Sequence, residues 1–253
     1  MEKIVEVNAI HKSYGQVKEK QTEVLKGLSF AINKGEFVGI MGASGSGKST
    51  LLNCLSTLDK PSAGSIKIHD KDITKLKGNA LADFRSQEIG FIFQEFHLLE
   101  NLTAAENIAI PLSLQGEKPK VIKQRVQKIA KRLSIEHILT HYPTELSGGQ
   151  KQRVASARAL ITAPTILFGD EPTGALDSKS ARDLMDMMEE LNQQDQVSIL
   201  LVTHDSLSAS YCQRILFIQD GAIYQELHRG EQSREAFYQQ ILQTLGNLEQ
   251  GGE

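Results

Sequence analysis

The chain has 253 residues, 40% of them hydrophobic and 23% charged, which is enough to bury the core of one large α/β domain with appended lobes. Its formal net charge is −3 and its pI is near 6.2, so no global basic field marks it as a nucleic-acid binder. No stretch of ~18 apolar residues spans a bilayer, the opening MEKIVEVNAI is no signal peptide, and Cys54 and Cys212, far apart and without metal-ligand spacing, suit reduced, buried thiols of a cytosolic protein.

Residues 4–37 alternate apolar and polar side chains in short runs, IVEVNAIHKSY, VLKGLSFAI and GEFVGI. This predicts short strands forming an antiparallel β layer. QVKEKQTE between them reads as a solvated hairpin loop, with Tyr14 at the end of the first strand.

The apolar run Phe37 to Met41 leads into Gly42-Ala43-Ser44-Gly45-Ser46-Gly47-Lys48-Ser49-Thr50, and a helix-like run with Leu51, Leu52, Leu55 and Leu58 follows. Gly42, Gly47, Lys48 and Ser49 occupy the fixed places of G-x-x-x-x-G-K-[ST], and the strand-then-helix context raises the match above chance. Glycines let successive backbone N–H groups turn inward as a nest for phosphate oxygens, and the following helix adds its unpaired amides. Lys48 is placed to reach the β/γ-phosphates and the Ser49 hydroxyl to ligate Mg²⁺.

Beyond this loop, Pro61 and Gly64 frame a turn and Ser65 to His69 alternate as a hairpin strand does; His69, Asp70 and Asp72 read as a solvated turn rather than a metal site. Gly90 to Phe93 form a buried strand ending on Gln94. Glu95, Phe96, His97, Leu98 and Leu99 carry more apolar surface than a plain loop needs. Thr103 and Glu106 make a capping box for a short helix that Pro111 ends or bends. From Pro119 a basic helix places Ile122, Val126, Ile129 and Leu133 on one face. Residues 95–142 thus read as a helical lobe inserted into an α/β core.

Leu146-Ser147-Gly148-Gly149-Gln150 opens another helix, a second glycine-rich N-terminus and so a second candidate anion site, with Ser147, Gly149 and Gln150 at its tip. Thr165 to Gly169 is a buried strand delivering Asp170 and Glu171 at its C-terminal end, where parallel sheets bind ligands. Adjacent carboxylates there point to opposite sides, one toward a cation and one toward water. Gly174 to Asp177 is a turn, and the next helix aligns Leu184, Met187, Met188 and Leu191 as core. A third buried strand, Ser198 to Thr203, ends on His204 at the same edge as Glu171. Residues 214–221 read as a closing hairpin, and 234–248 as an amphipathic helix aligning Phe237, Ile241, Leu245 and Leu248.

GASGSGKST, Gln94, LSGGQ, the ILFGDE strand, GALD and His204, in this order, resemble the ATPase cassette of ABC transporters over nearly the whole chain. P-loop kinases and GTPases lack LSGGQ. The resemblance implies a P-loop NTPase α/β core with an antiparallel β subdomain and an inserted α-helical subdomain, all in one ATPase domain: core 1–94 and 143–225, helical part 95–142, C-terminal helix and tail 226–253. It implies ATP as ligand with Mg²⁺ held by Ser49, Gln94 and Asp170, Tyr14 stacking on adenine, Glu171 polarising the attacking water, and Lys48 and His204 on the γ-phosphate. Ser147, Gly149 and Gln150 then cover nucleotide held by a second cassette, and Asp177 lines the homodimer seam. Gln94, Phe96, Leu98 and Leu99 meet an integral membrane permease, which holds the cassette at the cytoplasmic face of the plasma membrane. Gly169 and Gly174 depart from the usual cassette residues and are expected to soften local packing.

FIFQEFHLLENLTAAENIAIPL, PTELSGGQKQRVASARAL and GDEPTGALDSKSA are similar to the branch serving lipoprotein release, macrolide-type efflux and peptide-antibiotic resistance. GALDSKSA and the C-terminal segment resemble the bacitracin-resistance type, whose permease detects cell-wall-directed peptides and signals to a sensor kinase. The alternatives are a lipoprotein-release or macrolide-type ATPase, or a regulatory scaffold of a cell-division-type complex. The short interval between Gln94 and LSGGQ lacks the coiled coil of chromosome-structure ATPases, and a single cassette differs from translation factors that carry two.

Overall fold

The computed structural model describes residues 2–15 and 21–250. Two antiparallel strands open the chain, β1 (Lys3–Tyr14) and β2 (Thr22–Asn33), followed by β3 (Phe37–Met41) and helix α1 (Lys48–Leu55). Next come β4 (Ala63–Ile68), β5 (Lys71–Asp72), α2 (Gly78–Glu88) and β6 (Ile89–Ile92). The helices α3 (Ala104–Leu114), α4 (Pro119–Arg132) and α5 (Gly148–Leu160) separate β6 from β7 (Ile166–Asp170). The chain closes with α6 (Ser178–Asp195), β8 (Ser198–Val202), α7 (Ser206–Ala209), β9 (Arg214–Gln219), β10 (Ala222–His228) and α8 (Arg234–Gln250).

Strand alternation builds the core in two layers. In β3, Val38 and Ile40 face one hydrophobic cluster while Phe37 and Met41 face the other. Leu200 and Val202 oppose Ile199 and Leu201 in β8 in the same way, as do Leu216 and Ile218 against Ile215 and Phe217 in β9. Strands buried on both faces belong to a covered parallel sheet, and β9, β3, β8, β7 and β6 do run parallel in that order, with β10 antiparallel at the edge. One face packs on α1 and the antiparallel sheet β2-β1-β4-β5, the other on the helices from α3 onward. Each fully buried side chain such as Phe168 or Phe217 contributes about 1.5–3 kcal/mol of transfer energy. Arg214 pins the two sheets: its guanidinium donates to both carboxylate oxygens of Glu36, to Glu226 and to the Ala31 carbonyl.

Several expectations need correction. The first two strands are not short but twelve residues each, and the GEFVGI run supplies β3 to the parallel sheet rather than to the antiparallel layer, because it is apolar on both faces. The expected hairpin loop lies outside the described residues at 16–20, while Thr22 and Glu23 already belong to β2. Leu58 is not on the α1 stripe: the helix ends at Leu55, Thr57 turns left-handed (φ 63°), and Leu58 is exposed. Pro111 does not end α3, which continues to Leu114. Residues 214–219 form a hairpin with β10 but also pair with β3, and β10 continues past residue 225 to His228. Helix α2 has no counterpart in the sequence reading; Phe84 is its one buried residue, so it presents no stripe.

Parallel strands place their C-terminal ends at one edge. Gly42 after β3, Gln94 after β6, Asp170 and Glu171 on β7, and His204 after β8 therefore emerge together, where ligands of α/β sheets bind.

Candidate functional site

The loop between β3 and α1 is shaped by glycines that no other residue replaces. A Cβ at Gly42 would stand 2.1 Å from the Ile218 carbonyl oxygen. Gly47, at φ 105°, caps α1 in the left-handed region, with Val24 and Leu25 against its Cα. The loop lines a cavity of about 520 Å³ that Val24, Glu171 and His204 close on the other side. Lys48, 9% exposed, bends back along the loop and donates to the carbonyls of Gly42 (2.9 Å) and Ala43 (2.7 Å). Burial lowers the Lys48 pKa, opposed by the charges of Glu171 and Asp170. An ammonium so placed, beside inward-facing amides, suits the oxygens of a polyphosphate.

Asp170 ends β7 in pairing with Val202, and the Glu171 N–H donates to the Val202 carbonyl at 2.9 Å. Consecutive strand residues alternate sides, but Glu171 breaks the alternation with a left-handed φ of 46°, a conformation costing on the order of 1 kcal/mol or more and concentrated at functional sites. The charges of both carboxylates act on Lys48. Burial pushes the Asp170 pKa up, repulsion from Glu171 adds to this, and Lys48 opposes it. Glu171 Oε2 lies 2.9 Å from His204 Nδ1. Thus Lys48, Glu171 and His204 do meet around one cavity, with Asp170 alongside.

An oxygen-donor set of the Asp170 carboxylate and the exposed Ser49 hydroxyl fits a hard cation that keeps waters and shares its shell with ligand phosphates. Burial, with Glu171 beside it, raises the Asp170 pKa, and a cation bound there would act in the opposite direction. Among the described residues no group of three or more His, Cys, Asp and Glu side chains forms an all-protein cage.

Tyr14 stands at the end of β1, 44% exposed. Its hydroxyl donates to Asp59 Oδ2 at 2.8 Å, while Lys12 Nζ donates to Asp59 Oδ1 at 2.6 Å and to the Lys60 carbonyl, and sits 4.8 Å from the Tyr14 ring centre. Burial alone would raise the Asp59 pKa, but the hydrogen bonds from Lys12, Tyr14 and the Lys60 N–H outweigh it and hold the carboxyl below its usual value. The result is an aromatic platform held from beneath.

The remaining expected residues lie elsewhere. Ser147 and Gln150 form a reciprocal capping box at the N-terminus of α5, and Asp177 caps α6 by accepting from the Lys179 and Ser180 N–H groups. A Cβ on Gly149 would come within 3.0 Å of the Ser180 hydroxyl, so the tips of α5 and α6 touch. None of Gln94, Ser147, Gly149, Gln150 or Asp177 lines the phosphate-loop cavity of its own chain. Gly169 and Gly174 do not soften packing: an added Cβ would stand 3.2 Å from Leu201 Cδ1 at the former and 2.8 Å from Gln94 Nε2 at the latter.

Three polar side chains absent from the sequence reading organise the segment after β6. Gln152, fully buried, donates to the Phe93 and Pro172 carbonyls. Arg158 donates to the Phe96 and His97 carbonyls. Asn107, also fully buried, accepts from Leu99 N–H and donates to the carbonyls of Leu99, Leu102 and Thr103. Asn107 carries a readable signal, a polar position on the otherwise apolar stripe of α3 (Ala104, Ile108, Leu112); Gln152 does not, because buried Ser156 shares its face of α5.

Comparison with known proteins places this geometry. The family model described as ABC transporter matches residues 25–174. The chain is 53% identical over 245 residues to the bacitracin export ATP-binding protein BceA of Halalkalibacterium halodurans, covering 97% of this chain and 96% of that protein. It is 43% identical over 206 residues to the lipoprotein-releasing system ATP-binding protein LolD of Idiomarina loihiensis, covering 81% and 90%. Among solved structures, the dimeric post-hydrolysis ATP-binding cassette MJ0796 bound to ADP and Pi superposes with a TM-score of 0.79 at 38% identity, covering 88% of this chain and 98% of that one.

Proposed function

Since this chain belongs to the ABC transporter family and is the ATP-binding, ATP-hydrolysing subunit of a transporter, we propose that two copies clasp two ATP molecules, the Ser147–Gln150 turn of each closing over the phosphate loop of the other. Cassettes of this family dimerise and work with membrane permeases. The observation that carries the two-copy site is the position of α5. Its capped N-terminus, with Ser147 exposed, lies outside the cavity that holds Lys48, Glu171 and His204, which leaves it free to cover the phosphate loop of a second chain.

In the proposed site Lys48 exchanges the Gly42 and Ala43 carbonyls for β/γ-phosphate oxygens, which restore the charge partner that burial withholds. Tyr14 stacks on adenine, Asp177 lines the seam, and Ser49, Asp170 and Gln94 would hold Mg²⁺, which would supply positive charge against the phosphates. Glu171, held by His204, orients water for in-line attack on the γ-phosphorus; the water oxygen–phosphorus bond forms as the bond to the β–γ bridging oxygen breaks, the water proton passes toward Glu171, and ADP and phosphate result. The rate comes from positioning and charge stabilisation. Loss of the γ-phosphate then unclasps the pair.

Gln94, Phe96, Leu98 and Leu99, where the core meets the helical lobe of residues 95–142, receive the permease; residues 1–94 and 143–225, with the rest of β10 to His228, form the core. Leu99 is half exposed, and such apolar surface beside the hydrolytic edge suits a permease helix. The permease holds the cassette at the cytoplasmic face of the plasma membrane. Bacitracin-type peptide-antibiotic resistance is the favoured physiological role, with signalling to a sensor kinase through the permease. Likeness to the bacitracin exporter runs through 97% of the chain, against 81% for the lipoprotein-releasing relative, which supports lipoprotein release only as the second reading.

The decisive experiment follows Glu171→Gln protein by analytical ultracentrifugation with and without ATP. An ATP-dependent dimer is expected, and a strict monomer at high concentration rejects the two-copy site. Lys48→Ala should abolish ATP binding in a direct titration. For the physiological role, cells lacking the protein should become sensitive to bacitracin, and unchanged sensitivity excludes that assignment.

A further inference from the structure

Gln152 lies on α5, five residues after Ser147, and is fully buried. Its Nε2 donates to the Pro172 carbonyl at 2.7 Å and to the Phe93 carbonyl at 3.3 Å. Phe93 directly precedes Gln94, and Pro172 directly follows Glu171. One amide therefore spends its two N–H groups on two loops, each carrying a residue of the proposed hydrolytic machinery. Its Oε1 is buried with no partner among the described residues. An orphaned buried acceptor is costly; an apolar side chain of equal length would avoid it but would leave the Phe93 and Pro172 carbonyls without this donor.

A second contact joins the same loops from the other side. The Gln94 side chain lies against the bare Cα of Gly174, where an added Cβ would stand 2.8 Å from Nε2, 3.1 Å from Cδ and 3.3 Å from Cγ. Gly174 is not among the residues of positive φ. Its backbone does not demand glycine; its missing side chain leaves room for Gln94.

We infer that Gln152 is a positioning residue for Gln94: through the Phe93 and Pro172 carbonyls it ties the Gln94 loop to the segment after Glu171, seating Gln94 on Gly174. The inference rests on the proposed role of Gln94. Because Gln152 shares a helix with Ser147 and Gly149, any shift of α5 on engaging the second copy's nucleotide moves both loops together. Glutamate at 152 cannot substitute, since an ionised carboxylate has no donor for either carbonyl.

The test is steady-state ATPase kinetics of the full chain with MgATP, using Gln152→Met, Gly174→Ala, Gln94→Ala and each pairing with Gln94→Ala. Residues acting through one another are non-additive in such a cycle. Gln152→Met and Gly174→Ala are each expected to lower kcat about tenfold or more with the ATP KM within about twofold, and neither should lower it further once Gln94 is already alanine. A merely structural role predicts losses that multiply. Wild-type kcat in both single variants, or multiplying losses, overturns the inference while leaving the site reading intact. An unchanged kcat in Gln94→Ala itself removes Gln94 from the site, and this inference falls with it. Gly174→Ala, which breaks no buried hydrogen bond, decides the matter if Gln152→Met does not fold.

Discussion

Nδ1 of His204 lies 2.9 Å from Oε2 of Glu171 at the mouth of the phosphate-loop cavity. The two arrive from neighbouring strands, and the left-handed turn at Glu171 directs its carboxylate to the imidazole. Removing the imidazole leaves the carboxylate free to wander while its chemistry survives. His204→Ala is therefore expected to lower kcat by about 10²-fold or more, in the range for a misplaced general base, with ATP affinity changed only a few-fold. His204→Gln, which keeps a donor in place, should recover part of the loss. Equal kcat in the two variants, measured by phosphate release, removes orientation of Glu171 as the role of His204.

The platform formed by Lys12, Asp59 and Tyr14 gives a separable effect on binding. Stacking of a base on an aromatic ring is worth about 1–3 kcal/mol, so Tyr14→Ala should raise the ATP KM about 5- to 150-fold. Asp59→Asn should raise it less, because the ring stays but loses its anchor. Asp59 has a folded pKa below its ordinary value. Its contribution to stability is present above the unfolded value, about 3.9, and is lost as pH falls through the depressed folded value. The Tm gap between wild type and Asp59→Asn should therefore narrow as pH drops below about 4. A gap that widens in thermal melts contradicts the cluster's electrostatics.

Asp170 has the opposite sign. Its folded pKa is raised by burial and by Glu171, so the ligand-free chain loses stability as pH rises from the ordinary carboxylate value through the raised one. At neutral pH the ionised group is a cost that a cation relieves. Asp170→Asn is expected to raise the Tm of the ligand-free protein by about 1–3 °C and to abolish the extra stabilisation that MgATP gives over ATP with EDTA. Scanning fluorimetry reads both, and an unaltered Mg²⁺ increment takes Asp170 off the metal.

The phosphate loop, the capping box at Thr103, the helix start at Ser147 and the strands leading to Asp170 and His204 were legible because each is a local pattern: fixed spacing, a cap three residues before its partner, a glycine-rich helix N-terminus or an unbroken apolar run. What escaped is non-local. Gln152 takes its meaning from carbonyls 59 and 20 residues away, and Asp59 from Lys12, 47 residues earlier. Gly174 reads as loosened packing because the Gln94 side chain against it comes from a distant segment of the chain. Helix α2 escaped because it buries a single residue, and periodicity detects only helices with a stripe.

Arg158 offers a prediction in which local order and global stability part. Its guanidinium donates to the carbonyls of Phe96 and His97, and burial lowers its pKa. Among the described residues no carboxylate forms a salt bridge with it, so two peptide oxygens carry the whole compensation for desolvating the charge. Arg158→Met loses those hydrogen bonds but also removes a desolvated cation, two terms of similar size. The Tm should accordingly move by less than about 3 °C. Amide exchange at residues 96–99 should meanwhile accelerate by about tenfold or more as the segment loses its tie, while Asn107 still holds Leu99 from α3. Intrinsic ATP affinity should stay at the wild-type value, since Arg158 touches neither the phosphate loop nor Tyr14. If this segment receives a permease helix, stimulation of the ATPase by the detergent-solubilised membrane partner should fall in the same variant. Unchanged exchange at 96–99 together with full stimulation shows that Arg158 serves neither the loop nor the partner.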